Sequence, residues 1–180
     1  MNQPVEPSGP YDRLYLDTTV LANLARAGHV DVVADVVEYP RTSYAVRGEL
    51  ERGVDAGFET LADAVDHLAD PLEPDDTGGI TVAGSLVHQR KPELLDRLAA
   101  SEASVLYQAW AADAPLATDD ADVRAVAASY QVPVTGSLAV VVRAVERGVL
   151  GRDAADEALT QWRAEGLTVP VDSVAALLAD

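Results

Sequence analysis

RLYLDTTVLANLARAG, residues 13–28, is the stretch on which the fold turns. Arg13–Leu16 (RLYL) is a short apolar run of the kind a buried strand presents. Asp17 follows at once, a residue type favoured as a helix N-cap. Val20, Leu21, Leu24 and Ala25 then share one face of a 3.6-residue period, and Gly28 supplies a stop. A buried strand, an acid and a helix in immediate succession form the opening of a βα unit.

Similar punctuation runs down the chain. A short helix is expected over Val30–Val37, broken by Tyr39-Pro40, with a strand at Arg41–Tyr44 and a helix at Ala45–Arg52 stopped by Gly53. Phe58–Ala69 reads as a helix, Pro71–Gly79 as a loop, and Ile80–Val87 fits either a strand or a helix. Pro92–Ala100 and Ser101–Ala112 read as helices. Strands at Leu116–Thr118 and Val132–Thr135 then alternate with helices at Ala121–Tyr130 and Leu138–Arg147. Helices over Asp153–Glu165 and Ser173–Leu178 finish the chain. Short strands alternating with helices imply an α/β fold whose parallel sheet is covered on both faces. In such sheets ligands lie beyond the carboxyl ends of the strands. The 180 residues suit a single domain. We expect residues 1–11, polar and proline-bearing, to be a disordered leader. The main domain spans 12–150, and 151–180 is a helical extension packed on it.

Composition narrows the chemistry. There is no cysteine, which removes disulfides, thiolate zinc sites and cysteine nucleophiles. No apolar run approaches the ~20 residues a membrane helix needs, and the N-terminus has no signal-peptide pattern. A cytoplasmic protein with no membrane partner is the expectation. The formal net charge is −17, Lys91 is the only lysine, and the acids are spread rather than gathered in a tail. Such a surface points to adaptation to concentrated salt and a halophilic archaeal source, because at ~1 M salt the Debye length shrinks to about 3 Å. The charge opposes a polyanionic partner, but salt screening and bridging metal ions weaken that objection.

Within this general acidity five positions stand apart. Asp17 ends a strand and starts a helix. Glu49, in AVRGELERG (45–53), shares a helical face with Ala45 and Val46 and so needs a partner: Arg47, Arg52 or a metal ion. Glu102, in SEASVLYQAWA (101–111), sits in the first turn of a helix with Ser101 as the expected cap. Asp119 and Asp120 follow the strand PLAT and begin another helix, with Asp120 and Arg124 spaced as an i,i+4 pair. Each has an ordinary capping or surface explanation. Together, at strand ends, they suggest a divalent-metal cluster, and oxygen ligands without His or Cys favour Mg²⁺ or Mn²⁺ over zinc. His29, His67 and His88 are scattered.

In chain order, LYLDTTVLANLARAG, AVRGELERG, SEASVLYQAWA, PLATDDADVRAVA (115–127) and VPVTGSLAVVVRAVERGVL (132–150) resemble PIN-domain proteins of the prokaryotic toxin-like type. The resemblance covers roughly residues 13–150. It implies a three-layer α/β/α fold around a parallel sheet and a metal-dependent ribonuclease. Carried over by position, Asp17, Glu49 and Glu102 match the first three family acids. The acid after the fourth family strand matches Asp119 or Asp120, with Asp120 preferred as the ligand. Thr18 and Thr118 match positions that support the metal shell. Arg47, Arg124 and the Arg90-Lys91 pair are candidates for holding phosphate. RNA is the implied substrate, and a small antitoxin and a homodimer are implied partners. Two departures stand out: Ser101 replaces the usual glycine before Glu102, and 75–100 is longer than in compact relatives. The same family reading leaves room for a non-catalytic RNA- or protein-binding module.

Two other strand-Asp classes fit poorly. A haloacid-dehalogenase-type phosphotransferase needs a second aspartate two positions on, where Thr19 stands. A receiver domain needs an early acidic pair and a late lysine, whereas here the pair is late and Lys91 is the sole lysine.

Overall fold

The computed structural model describes residues 11–73 and 75–178. The expected leader falls almost wholly outside these residues. Six strands form one sheet: β1 (Tyr11–Leu16), β2 (Val37–Ser43), β3 (Leu68–Ala69), β4 (Ile80–Ala83), β5 (Leu116–Ala117) and β6 (Val134–Thr135). Their order is β3-β4-β2-β1-β5-β6, and every pair is parallel.

Helices α1 (Thr18–Ala27), α2 (Val32–Val36), α3 (Tyr44–Asp55) and α4 (Leu61–Asp66) connect the strands on one side of β1. Helices α5 (Val87–Arg90), α6 (Ala100–Ala111) and α7 (Ala121–Ser129) serve the connections to β5 and β6. Right-handed crossovers that move in opposite directions from β1 place the two sets on opposite faces. The packing agrees. α1 meets α3 and α4, while α6 lies along β1, β2 and β5 with α5 and α7 beside it, and α3 reaches across to α6. Helices α8 (Ser137–Glu146) and α9 (Arg152–Ala164) return to pack on α1, and α10 (Ala175–Leu178) rests on α8. The result is a three-layer α/β/α fold. Leu14, Leu16 and Leu116 fill its centre, fully buried between the helix layers.

The chain leaves β1 in one direction and β5 in the other. The crevice between their carboxyl ends is therefore the topological switch point, where open parallel sheets bind ligands.

Four sequence expectations need correction. The helix expected over Val30–Val37 is only Val32–Val36, and the following strand runs Val37–Ser43 through Tyr39-Pro40. Pro40 is tolerated because β4 pairs with β2 only from Arg41 onward, so its missing N–H costs no ladder bond on that side. The helix expected over Phe58–Ala69 stops at Asp66, and Leu68–Ala69 pairs with Ile80-Thr81 as an edge strand. Ile80–Val87 resolves into β4 and the start of α5. Pro92–Asp96 is a 3-10 turn rather than an α-helix, with the proline in its first turn.

Candidate active site

Asp17 leaves β1 with its backbone N–H bonded to Ala117 O at 3.0 Å, which keeps it level with the end of β5. Its side chain is fully buried. Oδ1 accepts the Thr18 N–H at 2.8 Å, capping α1, and Oδ2 accepts the Thr118 hydroxyl at 2.7 Å and the Thr19 hydroxyl at 3.3 Å. These donors do not offset the burial. Desolvation, with the negative charge of Glu102 adding to it, pushes the Asp17 carboxyl up to about 6.

The next two acids come from α3 and α6, two helices that also touch each other. Glu49, on α3, is half-buried and accepts the Thr18 hydroxyl at 2.7 Å. Its hydrogen-bond partner is thus Thr18, rather than Arg47, two residues before it and drawn to Glu51 and Asp76, or Arg52, three residues after it. Glu102 lies at the third position of α6 and reaches back to the Ala99 N–H at 2.9 Å. The helix begins at Ala100, so Ser101 lies inside its first turn and Ala99, not Ser101, holds the cap position.

The adjacent aspartates have different work. Asp120 caps α7, its Oδ1 accepting the N–H groups of Asp122 at 2.8 Å and Val123 at 2.9 Å. Asp119 turns away to join three elements. Oδ1 accepts the Ser137 N–H at 3.0 Å, Oδ2 accepts the Asn23 amide at 2.8 Å, and Oδ2 also accepts the Ser137 hydroxyl. It therefore caps α8 from another part of the chain. Gly136 makes this possible: a Cβ there would fall 2.4 Å from Asp119 Oδ1 and 2.6 Å from Arg124 Nη2.

All five acids, with Thr18, Thr19, Asn23, Arg26 and Leu167, line one cleft of 410 Å³ at the switch point. The N-termini of α1 and α7 open onto it through Thr18 and Asp120, and Glu102 sits in the first turn of α6. Their partial positive charges offset some of the acid concentration. Among the described residues, no three acidic or imidazole side chains converge closely enough to form a ready-made metal cage. The donor set nevertheless suits a hard cation. Mg²⁺ keeps several waters and is held by one or two carboxylates plus substrate phosphates. A buried carboxylate such as Asp17, costly to ionise alone, gains most from such a counter-charge.

The phosphate candidates separate. Arg47 does not line the cleft. It is drawn off by Glu51 at 2.8 Å, Asp76 at 2.7 Å and Asp70 at 3.7 Å, and these contacts hold its pKa even further above the usual arginine range. Lys91 lies over the rings of Trp110 and Tyr130, 4.2 and 5.0 Å from their centroids, and 3.6 Å from Glu93. Arg124 stands beside Asp119 at 4.0 Å and donates to Thr135 O at 3.0 Å. Sequence reading missed Thr19, Asn23, Arg26 and Ser137. Asn23 carried a usable signal, an amide set among Leu21, Leu24 and Ala25 on the buried face of α1.

A family model described as PIN domain matches residues 14–180. The chain is a PIN-domain protein. The PIN match and the all-parallel sheet agree on the fold, and PIN domains are in general nucleases that use divalent metal ions, act on RNA and often pair with antitoxins. Searches of curated proteins and of solved structures find no match to this chain. No helix of this PIN domain, among the described residues, is long and apolar enough to cross a membrane.

Proposed function

We propose that this PIN domain is a divalent-metal-dependent endoribonuclease that hydrolyses RNA phosphodiesters in the cleft between β1 and β5. One observation carries the reading: five carboxylates from four separate chain segments line one cleft at the switch point of the sheet. Bound there, Mg²⁺ or Mn²⁺ would polarise the phosphoryl oxygen and lower the pKa of an attacking water. Asp17 is the central ligand, its carboxylate aimed by Thr118, Thr19 and the Thr18 N–H. Glu49, Glu102 and Asp120 complete the shell directly or through water. Asp120 serves better than Asp119, because its cap uses only Oδ1 whereas both oxygens of Asp119 are taken by Asn23 and Ser137. Thr18 orients both Asp17 and Glu49.

The same reading extends to a toxin-like protein restrained by a small antitoxin, to self-association as a homodimer, and to a salt-adapted source. The net charge of −17 and the single lysine support the last. A second reading, an RNA- or protein-binding module without cleavage, is favoured because no three of the acidic side chains, among the described residues, stand close enough to form a ready-made metal cage.

The test is cleavage of single-stranded RNA in high salt with Mn²⁺, Mg²⁺ or chelator, for the wild type and Asp17→Asn. Metal-dependent cleavage lost in the variant is expected. Cleavage that survives both chelator and substitution would sink the mechanism. RNA binding without any cleavage selects the second reading.

A further inference from the structure

The acidic cleft does not end at Asp119. A second cavity of 400 Å³ adjoins it, sharing Asp119 and Leu167 as common walls. Arg124, Leu138, Trp162, Thr168 and Val169 help to line this second space. Its size falls within the ordinary range for small-ligand pockets, and its walls combine apolar side chains (Leu138, Trp162, Leu167 and Val169) with the polar Asp119, Arg124 and Thr168.

The boundary between the two spaces is built rather than incidental. Gly166, at φ +90°, turns the chain off α9 in a conformation that favours glycine, and Leu167 follows at the shared wall. The Leu167 N–H is anchored on Trp162 O at 2.9 Å. On the opposite side Gly136 leaves room for the Arg124 guanidinium, whose Nη2 would lie 2.6 Å from any Cβ there. The hydrogen bond and the ion pair of Arg124 both use Nη2, so Nε and Nη1 remain available as donors. Among the described residues, the one cationic wall residue of the first cavity is Arg26, which leans on Asn23 at 3.3 Å and Glu165 at 3.9 Å.

In a chain of charge −17, an arginine stands in each of two adjoining cavities. A polyanion lying along both cavities needs cations beside it. A single-stranded nucleic acid also needs apolar surface for a base that is out of a duplex. We propose that the second cavity is the subsite for the nucleotide next to the scissile phosphate of a single-stranded RNA. The base lies against Leu138, Leu167 and Val169, and the neighbouring phosphate is held by Arg124. Arg26, in the first cavity, is the second cation offered to the strand. This rests on the ribonuclease reading above, and it adds where the strand runs and which residues grip it.

The experiment uses the full chain and a short fluorescent single-stranded RNA. Cleavage kinetics are measured for the wild type, Arg124→Gln, Thr168→Trp and, as a control, Arg47→Gln. Anisotropy titrations use the same changes in an Asp17→Asn background, so that binding is read without cleavage. Thr168 is exposed, so the tryptophan fills the cavity without entering the core. Arg124→Gln and Thr168→Trp are each expected to raise KM and weaken binding about tenfold, with kcat changed far less. Arg124→Gln should also lower the slope of log affinity against log salt by about one contact's worth, while Thr168→Trp leaves that slope alone. Arg124→Lys should recover part of the affinity, and Arg47→Gln should match the wild type. If the wild type cleaves RNA but both variants keep its KM and affinity, the subsite is wrong and the nuclease reading stands. If the wild type neither binds nor cleaves RNA, both fall together.

Discussion

Replacing Asp17 by asparagine removes the charge on which the proposed chemistry centres, and it should make the metal-free protein more stable. Asp17 is fully buried, and desolvation is the main reason its carboxyl titrates at about 6 rather than 3.8. The folded state therefore holds this proton more tightly than the unfolded chain does. The sign follows: stability from this group is greatest below pH 3.8 and is lost as pH rises through about 6. At ~1.4 kcal/mol per pH unit, the distance between the two values amounts to about 3 kcal/mol at neutral pH. Asparagine is uncharged and keeps the bond from the Thr18 N–H. Its amide can donate to the Thr118 and Thr19 hydroxyls, although both were arranged as donors to a carboxylate. Allowing for that mismatch, the net gain at pH 7.5 should be about 1–2 kcal/mol, or roughly 2–8 °C in Tm. The measurement is urea and thermal unfolding of both proteins in chelator at pH 4 and 7.5. The quantity read is the difference between them, because every other carboxylate titrates in both. The gain should shrink or vanish at pH 4. Saturating Mg²⁺ should stabilise the wild type, by about 2.7 kcal/mol at a hundredfold excess over Kd, and leave the variant little changed. A variant less stable than the wild type at pH 7.5, or a difference independent of pH, would refute the reasoning.

Other outcomes follow from the same geometry. Asp119→Ala strips the bonds to Asn23 and Ser137 and should cost about 2–3 kcal/mol in urea unfolding, whereas Asp120→Asn keeps a competent helix cap, unfolds like the wild type and loses metal-dependent cleavage. Gly136→Ala pushes a methyl group against Asp119 and Arg124 and should destabilise by about 1–3 kcal/mol, read in the same assay. Arg47→Ala should leave kcat/KM within about twofold and cost under ~1 kcal/mol, since its ion pairs are partly solvated and lie outside the cleft. The urea midpoint should climb as KCl is raised, as expected when salt screens a net charge of −17; a flat response would argue against salt adaptation.

What could be read from sequence was what local chemistry dictates. Asp17 was legible because the strand before it, the helix after it and the left-handed Gly28 at φ 72° are all short-range signals. The strand Val37–Ser43 was half-hidden, because Glu38, Tyr39 and Pro40 fall where only one neighbour pairs, and the apolar alternation lapses there. Leu68–Ala69 looked helical because a two-residue edge strand has no period of its own. Asp119 and Asp120 look interchangeable in a row of acids. Asn23 and Ser137, 96 and 18 residues away in sequence, give Asp119 its separate role. Arg26 enters the cleft and Arg47 does not; Glu51, four residues on from Arg47, is a local signal, but no local pattern encodes the pairing with Asp76.

The hydrogen bonds of Glu49 and Glu102 bear on how the protein would meet its ion. Thr18 holds Oε2 of Glu49 and the Ala99 N–H holds Oε2 of Glu102, so each bond engages one oxygen and leaves Oε1 for an ion to approach. A cation that recruits them would meet carboxylates already fixed in place, and it would lose little affinity to ordering them.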